Sequence, residues 1–328
     1  MILKCVIVLD LALVMVSGQS IWNVGKPLGG IPELDISALT SKEFFDKYQR
    51  LPFVFRGYQS TLEELSSNAG LVDPIDWLRS IIGDEDTVDA VEGELRETRV
   101  APTISRVKWK YFLEKFTRMD MYAVTQAPEG LRKHLSLMPA MSCGGIHDKM
   151  VPPHVWVSGG IKASKSVIHM DSYVNQHCIL KGRKRFLLIP PHLPISTSEY
   201  GWVDTTVDIP DGFENAYGAF FGMIDTDNVD LERFPKWMDV PWFEVELNEG
   251  DCIYMPYGWF HYVESDPEIT VSWHQWFNIP TEWREDDYCE EETSFTTAQC
   301  FYANDKHRRN QPRIDWSTYT DRTSLCYK

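Results

Sequence analysis

Two potential metal ligands, His169 and Asp171, stand one residue apart in the segment SVIHMDSY. Side chains at positions i and i+2 of a β-strand project from the same face, about 7 Å apart. An imidazole and a carboxylate placed in this way could share one metal ion. A third ligand must come from elsewhere, and His261, which follows the segment YMPYGWF, is the best candidate. Two histidines and one carboxylate form the facial triad of non-haem Fe(II) sites, which leaves coordination positions open.

A second interpretation of the same residues is structural. The chain has nine histidines, so one of them carries little information by itself. His169 and Asp171 could form a hydrogen-bonded polar pair on a sheet and bind no metal. The residue types and their spacing leave both interpretations open.

A basic cluster follows in the segment LKGRKRF, with cations at positions 181, 183, 184 and 185. A ferrous oxygenase needs a two-electron reductant, and 2-oxoglutarate is the common one. Its far carboxylate would require a buried cation. Gly182 interrupts the alternation of inward and outward side chains that starts at His169. Alternation therefore cannot show which of the four cations points to the interior. The alternative is a charged, solvent-exposed strand edge.

The elements that must position these residues change in character near residue 120. Amphipathic patterns predict helices over 41–48, in one or two segments of 61–82, and over 108–116, with a buried strand in LPFVFRGY. From Met121 onward, short runs rich in Val, Ile, Tyr, Phe and Trp alternate with turn residues. This pattern predicts a mainly β sandwich or jelly roll, with NEGD at 248–251 as a tight hairpin.

Composition and charge limit the partners. The chain has 328 residues, 43% hydrophobic and 24% charged, with a formal net charge of −16. Such an acidic protein is repelled by phosphate backbones, so nucleic acid is not expected as a main partner.

The first residues resemble a targeting segment. A short positive start, an apolar run and Val16-Ser17-Gly18 predict a cleaved signal peptide over 1–18; a buried N-terminal strand is the alternative. No later run approaches the ~20 apolar residues of a membrane span, so no stable membrane insertion is expected after cleavage. The expected location is the secretory pathway, in the ER lumen or outside the cell.

Cleavage would leave six cysteines. Three of them, Cys289, Cys300 and Cys326, lie in a polar C-terminal tail where disulfides are plausible in an oxidising compartment. Cys178 and Cys252 lie in apolar strand-like runs and are the best candidates for unpaired buried thiols. The pairing of six cysteines cannot be deduced from spacing.

Two stretches together resemble the JmjC/cupin-like hydroxylases. SVIHMDSYVNQHCILKGRKRFLLIPP resembles the family's first block, and GDCIYMPYGWFHYVES…ITVSW resembles its Gly-Asp-x-x-Tyr-x-Pro…Trp-x-His block. The resemblance implies a double-stranded β-helix (jelly roll, cupin-like) core with surrounding N-terminal α-helices. The expected organisation is a signal peptide over 1–18, a supporting α/β region over 19–120, the catalytic domain over 121–280 and a Cys-containing tail over 281–328.

Carried over residue by residue, the resemblance implies that His169, Asp171 and His261 hold Fe(II). Lys184 matches the lysine that holds the distal carboxylate of 2-oxoglutarate, and O₂ is the second co-substrate. Four further positions match residues near the co-substrate or the metal: Asn175, Ser166, Tyr122 and Ser272. Some family members have an Asn where this chain has Ser272, and that departure puts this contact in doubt.

The implied activity is an Fe(II)/2-oxoglutarate-dependent oxygenase. No chromatin-reader finger or basic nuclear signal is present, so hydroxylation of a protein or peptide side chain is favoured over histone or protein demethylation. Two other classes stay open: a catalytically silent JmjC-fold binding protein, and a cupin-like metabolite enzyme that uses another metal. The sequence does not define the target residue or the oligomeric state.

Overall fold

The computed structural model describes most of the chain between residues 19 and 277. The described residues are 19–83, 85–92, 103–119, 121–141, 149–160, 163–171, 173–191, 193, 195, 198–201, 220–222 and 224–277. The predicted signal peptide, Cys143 and the tail over 281–328 lie outside them. No helix among the described residues is long and apolar enough to cross a membrane.

The described helices are short and lie in the N-terminal half of the chain. They are α1 (Ser41–Glu43), α2 (Leu62–Asn68), α3 (Pro74–Ile81), α4 (Trp109–Lys115) and α5 (Glu129–Arg132). Helix α2 begins at a capping box, in which Thr61 accepts from the Glu64 backbone and the Glu64 carboxylate accepts from the Thr61 backbone. The helix predicted over 41–48 is capped by Thr40, and α1 continues as a wider π-helical turn over Phe44–Tyr48.

Strands make up most of the regular secondary structure among the described residues. They are β1 (Lys26–Pro27), β2 (Phe53–Phe55), β3 (Thr87–Glu92), β4 (Thr103–Lys108), β5 (Met121–Gln126), β6 (His154–Ser158), β7 (Ser164–Lys165), β8 (Ile168–Met170), β9 (Val174–Lys181), β10 (Lys184–Ile189), β11 (Phe220–Gly222), β12 (Pro241–Leu247), β13 (Cys252–Met255), β14 (Phe260–Ser265) and β15 (Thr270–Phe277). One sheet has the order β1-β12-β10-β14-β8-β11, with β7 beside β14, and the other has the order β2-β13-β9-β15-β6-β5-β3-β4.

From β8 onward the chain crosses repeatedly between the two sheets, as the predicted jelly roll requires, although β10, β11 and β12 follow one another in the same sheet. Strands β8, β10, β12 and β14 lie in one sheet, while β9, β13 and β15 lie in the other. Gly182 turns the chain from β9 into β10 with a φ of +77°, and an added Cβ would lie 2.6 Å from the Ile269 carbonyl oxygen. The mainly β fold is therefore confirmed. The prediction of a hairpin at NEGD is wrong. Strands β12 and β13 belong to different sheets, and NEGD forms the corner between them.

Apolar side chains fill the space between the sheets. Ile179, Phe186, Leu188 and Ile253 belong to a buried cluster contributed by both sheets. A larger cluster packs the helices against the outer face of the eight-stranded sheet, and Trp273 belongs to it. Alternation along β9 and β15 therefore assigns one set of side chains to the barrel interior and the other set to the outer core.

The alternative of unpaired thiols at Cys178 and Cys252 is wrong. The two residues face each other on the antiparallel strands β9 and β13 and form a disulfide, with a Cα–Cα distance of 4.1 Å. Both residues are fully buried. The apolar surroundings that suggested thiols belong to the outer core. The two cysteines are 74 residues apart in the sequence, so their pairing could not be recognised from either segment alone.

Breaking this disulfide is expected to destabilise the fold. A cross-link that closes a loop of 74 residues restricts the unfolded chain, so the double variant Cys178→Ala/Cys252→Ala should lose about 2–4 kcal/mol of unfolding free energy. Urea unfolding with and without dithiothreitol measures the loss. Reduction should lower the urea midpoint of the wild type more than it lowers that of the double variant. Equal shifts in both proteins would contradict the pairing.

Candidate metal centre

Two adjacent strands bring the predicted ligands together. His169 lies on β8, Asp171 follows that strand directly, and His261 lies on β14 opposite His169 in the ladder register. The two imidazole ring centroids are 4.0 Å apart. One ligand atom from each of the three residues lies within 4.8 Å of the other two. A single divalent cation can therefore be reached by all three side chains.

Backbone carbonyls orient both imidazoles. Nδ1 of His169 lies 2.8 Å from the Val167 oxygen, and Nδ1 of His261 lies 3.1 Å from the Trp259 oxygen. A carbonyl only accepts, so each Nδ1 carries the proton and each Nε2 keeps its lone pair for a metal. Burial, followed by the neighbouring His169, lowers the pKa of His261 to about 4. This imidazole is therefore neutral at pH 7, as a metal ligand must be.

Two donors hold the Asp171 carboxylate. The Trp276 indole Nε1 donates to Asp171 Oδ2 at 3.1 Å, and the Asn175 amide donates to the same oxygen at 3.4 Å. Hydrogen bonds of this kind fix the orientation of a ligating carboxylate. The set of two imidazoles and one oriented carboxylate fits ferrous iron. Asn175, expected beside the co-substrate, lies against the metal ligand itself.

A separate small cavity of about 40 Å³ lies at the start of β10. Three of the residues that were predicted to bind the co-substrate, Lys184, Ser166 and Tyr122, line this one cavity. Ser166 Oγ accepts a hydrogen bond from the Val263 N–H at 2.8 Å, which leaves its own proton to donate. Burial raises the pKa of Tyr122 to about 12, so its phenol also keeps its proton.

Lys184 is the buried cation of this cavity. Its side chain is 5% exposed, and its ammonium group lies 5.4 Å from the centroid of the Trp156 ring. No carboxylate of the described residues forms an ion pair with it, and burial lowers its pKa to about 7. A buried ammonium without a counter-charge is costly, and an anionic ligand would remove that cost.

The other three cations of the basic cluster are surface groups with acidic partners. Lys181 pairs with Glu63, Arg183 with Asp266 at 2.8 Å, and Arg185 with Glu244 at 2.6 Å. The turn at Gly182 directs only Lys184 to the interior.

Several buried polar atoms on β9 and β15 have no hydrogen-bond partner within the described part of the chain. On the interior face of the barrel they are Asn175 Oδ1, His177 Nε2, Ser272 Oγ and His274 Nε2. Buried polar groups are normally satisfied, so four such atoms on two neighbouring strands indicate a site for a polar ligand. Ser272 is one of these four residues, and its contact with the metal or the co-substrate stays a prediction.

His177 and His274 were not identified from the sequence. They are opposite each other in the β9–β15 register, and burial holds the pKa of both well below the usual histidine value. The signal that could have found them is strand alternation, because His177 is two residues from Asn175 and His274 is two residues from Ser272.

Comparison with known families agrees with this geometry. The family model described as "Cupin-like domain" matches residues 80–282, more than half of the chain. The chain belongs to the cupin-like family. The matched range contains the three metal-site residues, the Lys184 cavity and the strands that position them.

Curated relatives match about a third of the chain. The cupin-like chain is 31% identical over 126 residues to HSPB1-associated protein 1 of Homo sapiens, which covers 38% of this chain and 23% of that protein. It is 32% identical over 114 residues to Jumonji C domain-containing protein 5 of Drosophila melanogaster, covering 34% and 25%. It is also 32% identical over 114 residues to Lysine-specific demethylase JMJ31 of Arabidopsis thaliana, covering 35% and 19%.

These partial matches relate the cupin-like part of the chain to proteins that include Jumonji C domain-containing protein 5. Each match spans about a quarter or less of the relative's own length. Membership is consistent with a 2-oxoglutarate oxygenase or a demethylase, as the name of the Arabidopsis relative illustrates.

Proposed function

We propose that this protein is an Fe(II)- and 2-oxoglutarate-dependent oxygenase that hydroxylates a side chain of a protein or peptide. One observation carries the proposal. The jelly roll holds a facial triad and, separately, a buried ammonium that has no counter-charge among the described residues. A facial triad alone would fit several classes of metalloenzyme. The buried Lys184 ammonium favours a co-substrate that chelates the metal at one end and carries a carboxylate at the other.

The roles of the residues follow from their contacts. Ferrous iron, when bound, supplies the oxidising chemistry with O₂ and 2-oxoglutarate. His169, Asp171 and His261 would hold it, and Trp276 would keep the Asp171 carboxylate in place. Lys184 would pair with the distal carboxylate of 2-oxoglutarate.

The hydroxyl groups of Ser166 and Tyr122 have protons available to donate to that same carboxylate. The burial of this cavity excludes water and strengthens the charge pairing.

The substrate class is part of the proposal. The name of the human relative refers to association with another protein, which supports a polypeptide partner. The buried Cys178–Cys252 disulfide supports an oxidising compartment, and we propose hydroxylation within the secretory pathway. Hydroxylation is preferred to demethylation because such compartments are remote from chromatin.

Succinate formation tests the activity. Purified protein incubated with Fe(II), ascorbate and 2-oxoglutarate in air should produce succinate, and a substrate peptide should increase the rate. A demethylase would release formaldehyde from a methylated peptide, whereas a hydroxylase leaves a product heavier by one oxygen atom. Protein that binds neither iron nor 2-oxoglutarate would be a silent binding protein, and the proposal would be wrong.

The affinity for 2-oxoglutarate should depend on pH. The ligand-free Lys184 has a pKa of about 7, and only the charged ammonium can pair with a carboxylate. Above pH 7 the neutral Lys184 must take up a proton when 2-oxoglutarate binds. The Kd for 2-oxoglutarate should therefore rise by up to tenfold per pH unit. Titration calorimetry on Mn(II)-loaded protein between pH 6 and 9 measures this. The variant Lys184→Met should bind weakly with no such slope, and a flat wild-type profile would contradict the role of Lys184.

A further inference from the structure

Three alternate residues of β15 point into the barrel: Ser272, His274 and Trp276. Trp273, between two of them, belongs to the outer core. Side chains two positions apart on a strand share a face and lie about 7 Å from each other. His274 is 1% exposed. A deeply buried imidazole therefore occupies the middle of this interior row.

His274 contacts a partner of each predicted binding group. The Trp156 indole Nε1 donates to His274 Nδ1, and the Lys184 ammonium lies 5.4 Å from the centroid of that indole. On the other side, the ring centroids of His274 and Trp276 are 4.0 Å apart, and Trp276 donates to Asp171. One aromatic side chain therefore separates His274 from the buried cation, and one separates it from the metal-site carboxylate.

The hydrogen bond from Trp156 fixes the tautomer of His274. An indole N–H can only donate, so Nδ1 of His274 is the acceptor and the proton of the neutral ring is on Nε2. This Nε2 is buried and has no hydrogen-bond partner among the residues that the structure describes. An imidazole that served only as an acceptor for Trp156 would leave a buried N–H unpaired, which is unfavourable. The Nε2–H group therefore indicates an acceptor on a bound ligand.

Lys184 and His261 are both within electrostatic range of this imidazole. Burial is the largest cause of the low pKa of His274, and four nearby groups lower it further: His154, His177, Lys184 and His261. His261 belongs to the candidate metal centre, and Lys184 is the cation of the separate small cavity. A ligand that joins the metal to Lys184 therefore passes close to His274.

The two ends of 2-oxoglutarate need different donors. The cavity proposed for its distal carboxylate is lined by Lys184, Ser166 and Tyr122, and His274 does not line it. At the other end, a keto acid chelates a metal through its keto oxygen and one carboxylate oxygen. The second oxygen of that carboxylate is left for the protein, and a buried acceptor of this kind requires a donor. The unpaired Nε2–H of His274 is such a donor.

We propose that His274 binds the keto-acid end of the co-substrate by donating from Nε2 to the carboxylate next to the keto group, in the tautomer fixed by Trp156. This inference rests on the proposed function for the identity of the ligand. His274 is thereby a co-substrate-binding residue in addition to Lys184, and the two residues serve opposite ends of the same molecule.

Two amide variants separate the two nitrogens of the ring. In His274→Asn the amide can take the place of Nδ1 and accept from Trp156, but the side chain is too short to reach the position of Nε2. His274→Gln is the matched control, because its longer side chain places an amide N–H near that position. The Kd for 2-oxoglutarate is measured on Fe(II)-loaded protein under argon from the visible absorption of the ferrous keto-acid complex. His274→Asn should bind about tenfold or more weakly, and His274→Gln should stay within about threefold of the wild type.

A truncated ligand identifies the end that His274 contacts. 2-Oxobutyrate has the same keto-acid end and lacks the distal carboxylate. His274→Asn should weaken the binding of both ligands by the same factor, whereas Lys184→Met should weaken 2-oxoglutarate and leave 2-oxobutyrate within about twofold. A loss in His274→Asn that is confined to 2-oxoglutarate would overturn the proposed contact. So would an unchanged Kd in His274→Asn, or a His274→Gln variant that is as weak as His274→Asn at equal iron content and thermal stability.

Nuclear magnetic resonance of the wild type provides a measurement that does not depend on the folding of a variant. The protein is labelled with ¹⁵N-histidine and loaded with Zn(II), which is diamagnetic. The His274 signals are those missing from the His274→Gln spectrum. They should show a proton on Nε2 and none on Nδ1, and the Nε2–H proton should move downfield when 2-oxoglutarate is added, because a carboxylate is a strong acceptor. A proton on Nδ1, or an Nε2–H resonance that 2-oxoglutarate leaves unchanged, would overturn the inference.

Failure of this inference can be distinguished from failure of the proposed function. Wild-type protein that takes up neither iron nor 2-oxoglutarate would contradict both. Wild-type protein that binds 2-oxoglutarate on iron, while His274→Asn binds it equally well, would overturn the role of His274 and leave the proposed function intact.

Discussion

Replacing Lys184 by methionine should weaken 2-oxoglutarate binding and stabilise the ligand-free protein at the same time. The ammonium is buried and has no acidic partner among the described residues. Removing one member of a buried charge pair costs at least about 2 kcal/mol of binding, so Kd for 2-oxoglutarate should rise about 30-fold or more. In the ligand-free protein, methionine fills similar space without a desolvated charge, and stability should rise by about 1–3 kcal/mol.

The stabilisation should depend on pH. Burial lowers the pKa of Lys184 from 10.5 to about 7, so between these values the unfolded state binds more protons than the folded state. Wild-type stability therefore rises with pH across that window. The advantage of Lys184→Met should be largest below pH 7 and should shrink as pH increases towards 10.5.

Arg183→Met is the matched control for this experiment. Arg183 lies in the same basic cluster, but its side chain is 47% exposed and paired with Asp266. The Arg183→Met variant should keep the wild-type affinity for 2-oxoglutarate and the wild-type pH dependence of that affinity. An unaltered Kd in Lys184→Met, or a loss of stability at pH 6 and pH 9 alike, would contradict the assignment of Lys184.

Replacing Asp171 by alanine should abolish metal binding and turnover. Asp171 is the one carboxylate of the triad, and without it only the two imidazoles remain. Loss of an outer partner of a metal ligand already costs 10–100-fold in affinity, so loss of the ligand itself should weaken Fe(II) binding by more than about a hundredfold. Metal content after gel filtration and succinate formation both measure the effect.

Asp76→Ala is the control for this variant. Its carboxylate is 56% exposed and lies in an i,i+3 pair with Arg79 on α3, so iron binding should be unchanged. The Asp171→Ala protein should unfold at a temperature close to that of the metal-free wild type. Full iron content and normal succinate formation in Asp171→Ala would show that the triad is not the metal site.

The grouping of the three candidate metal ligands could be predicted because its signal is local. His169 and Asp171 share a strand face by simple alternation, and the third ligand stands at the start of a recognisable strand. Alternation could not distinguish Lys184 from its three cationic neighbours, because the turn at Gly182 breaks the regular change of side-chain direction between β9 and β10. Burial distinguishes it, and burial depends on how the two sheets pack.

Features that depend on long-range register were missed. Cys178 and Cys252 pair across β9 and β13, and His177 and His274 meet across β9 and β15. Neither register can be read from one strand's sequence, since each pairing joins segments far apart in the chain. The NEGD corner was mistaken for a hairpin for the same reason, because turn residues do not reveal which sheet the next strand joins.

The most direct test is an anaerobic titration that asks whether one site takes both Fe(II) and 2-oxoglutarate. A ferrous ion chelated by a keto acid absorbs visible light, whereas ferrous protein alone does not show this band. Wild-type protein should develop the band on addition of 2-oxoglutarate and saturate at a single equivalent of iron. Lys184→Met should reach the same intensity only at much higher 2-oxoglutarate, and Asp171→Ala should show no band. Wild-type protein without the band, at saturating iron and 2-oxoglutarate, would contradict the assignment of this centre.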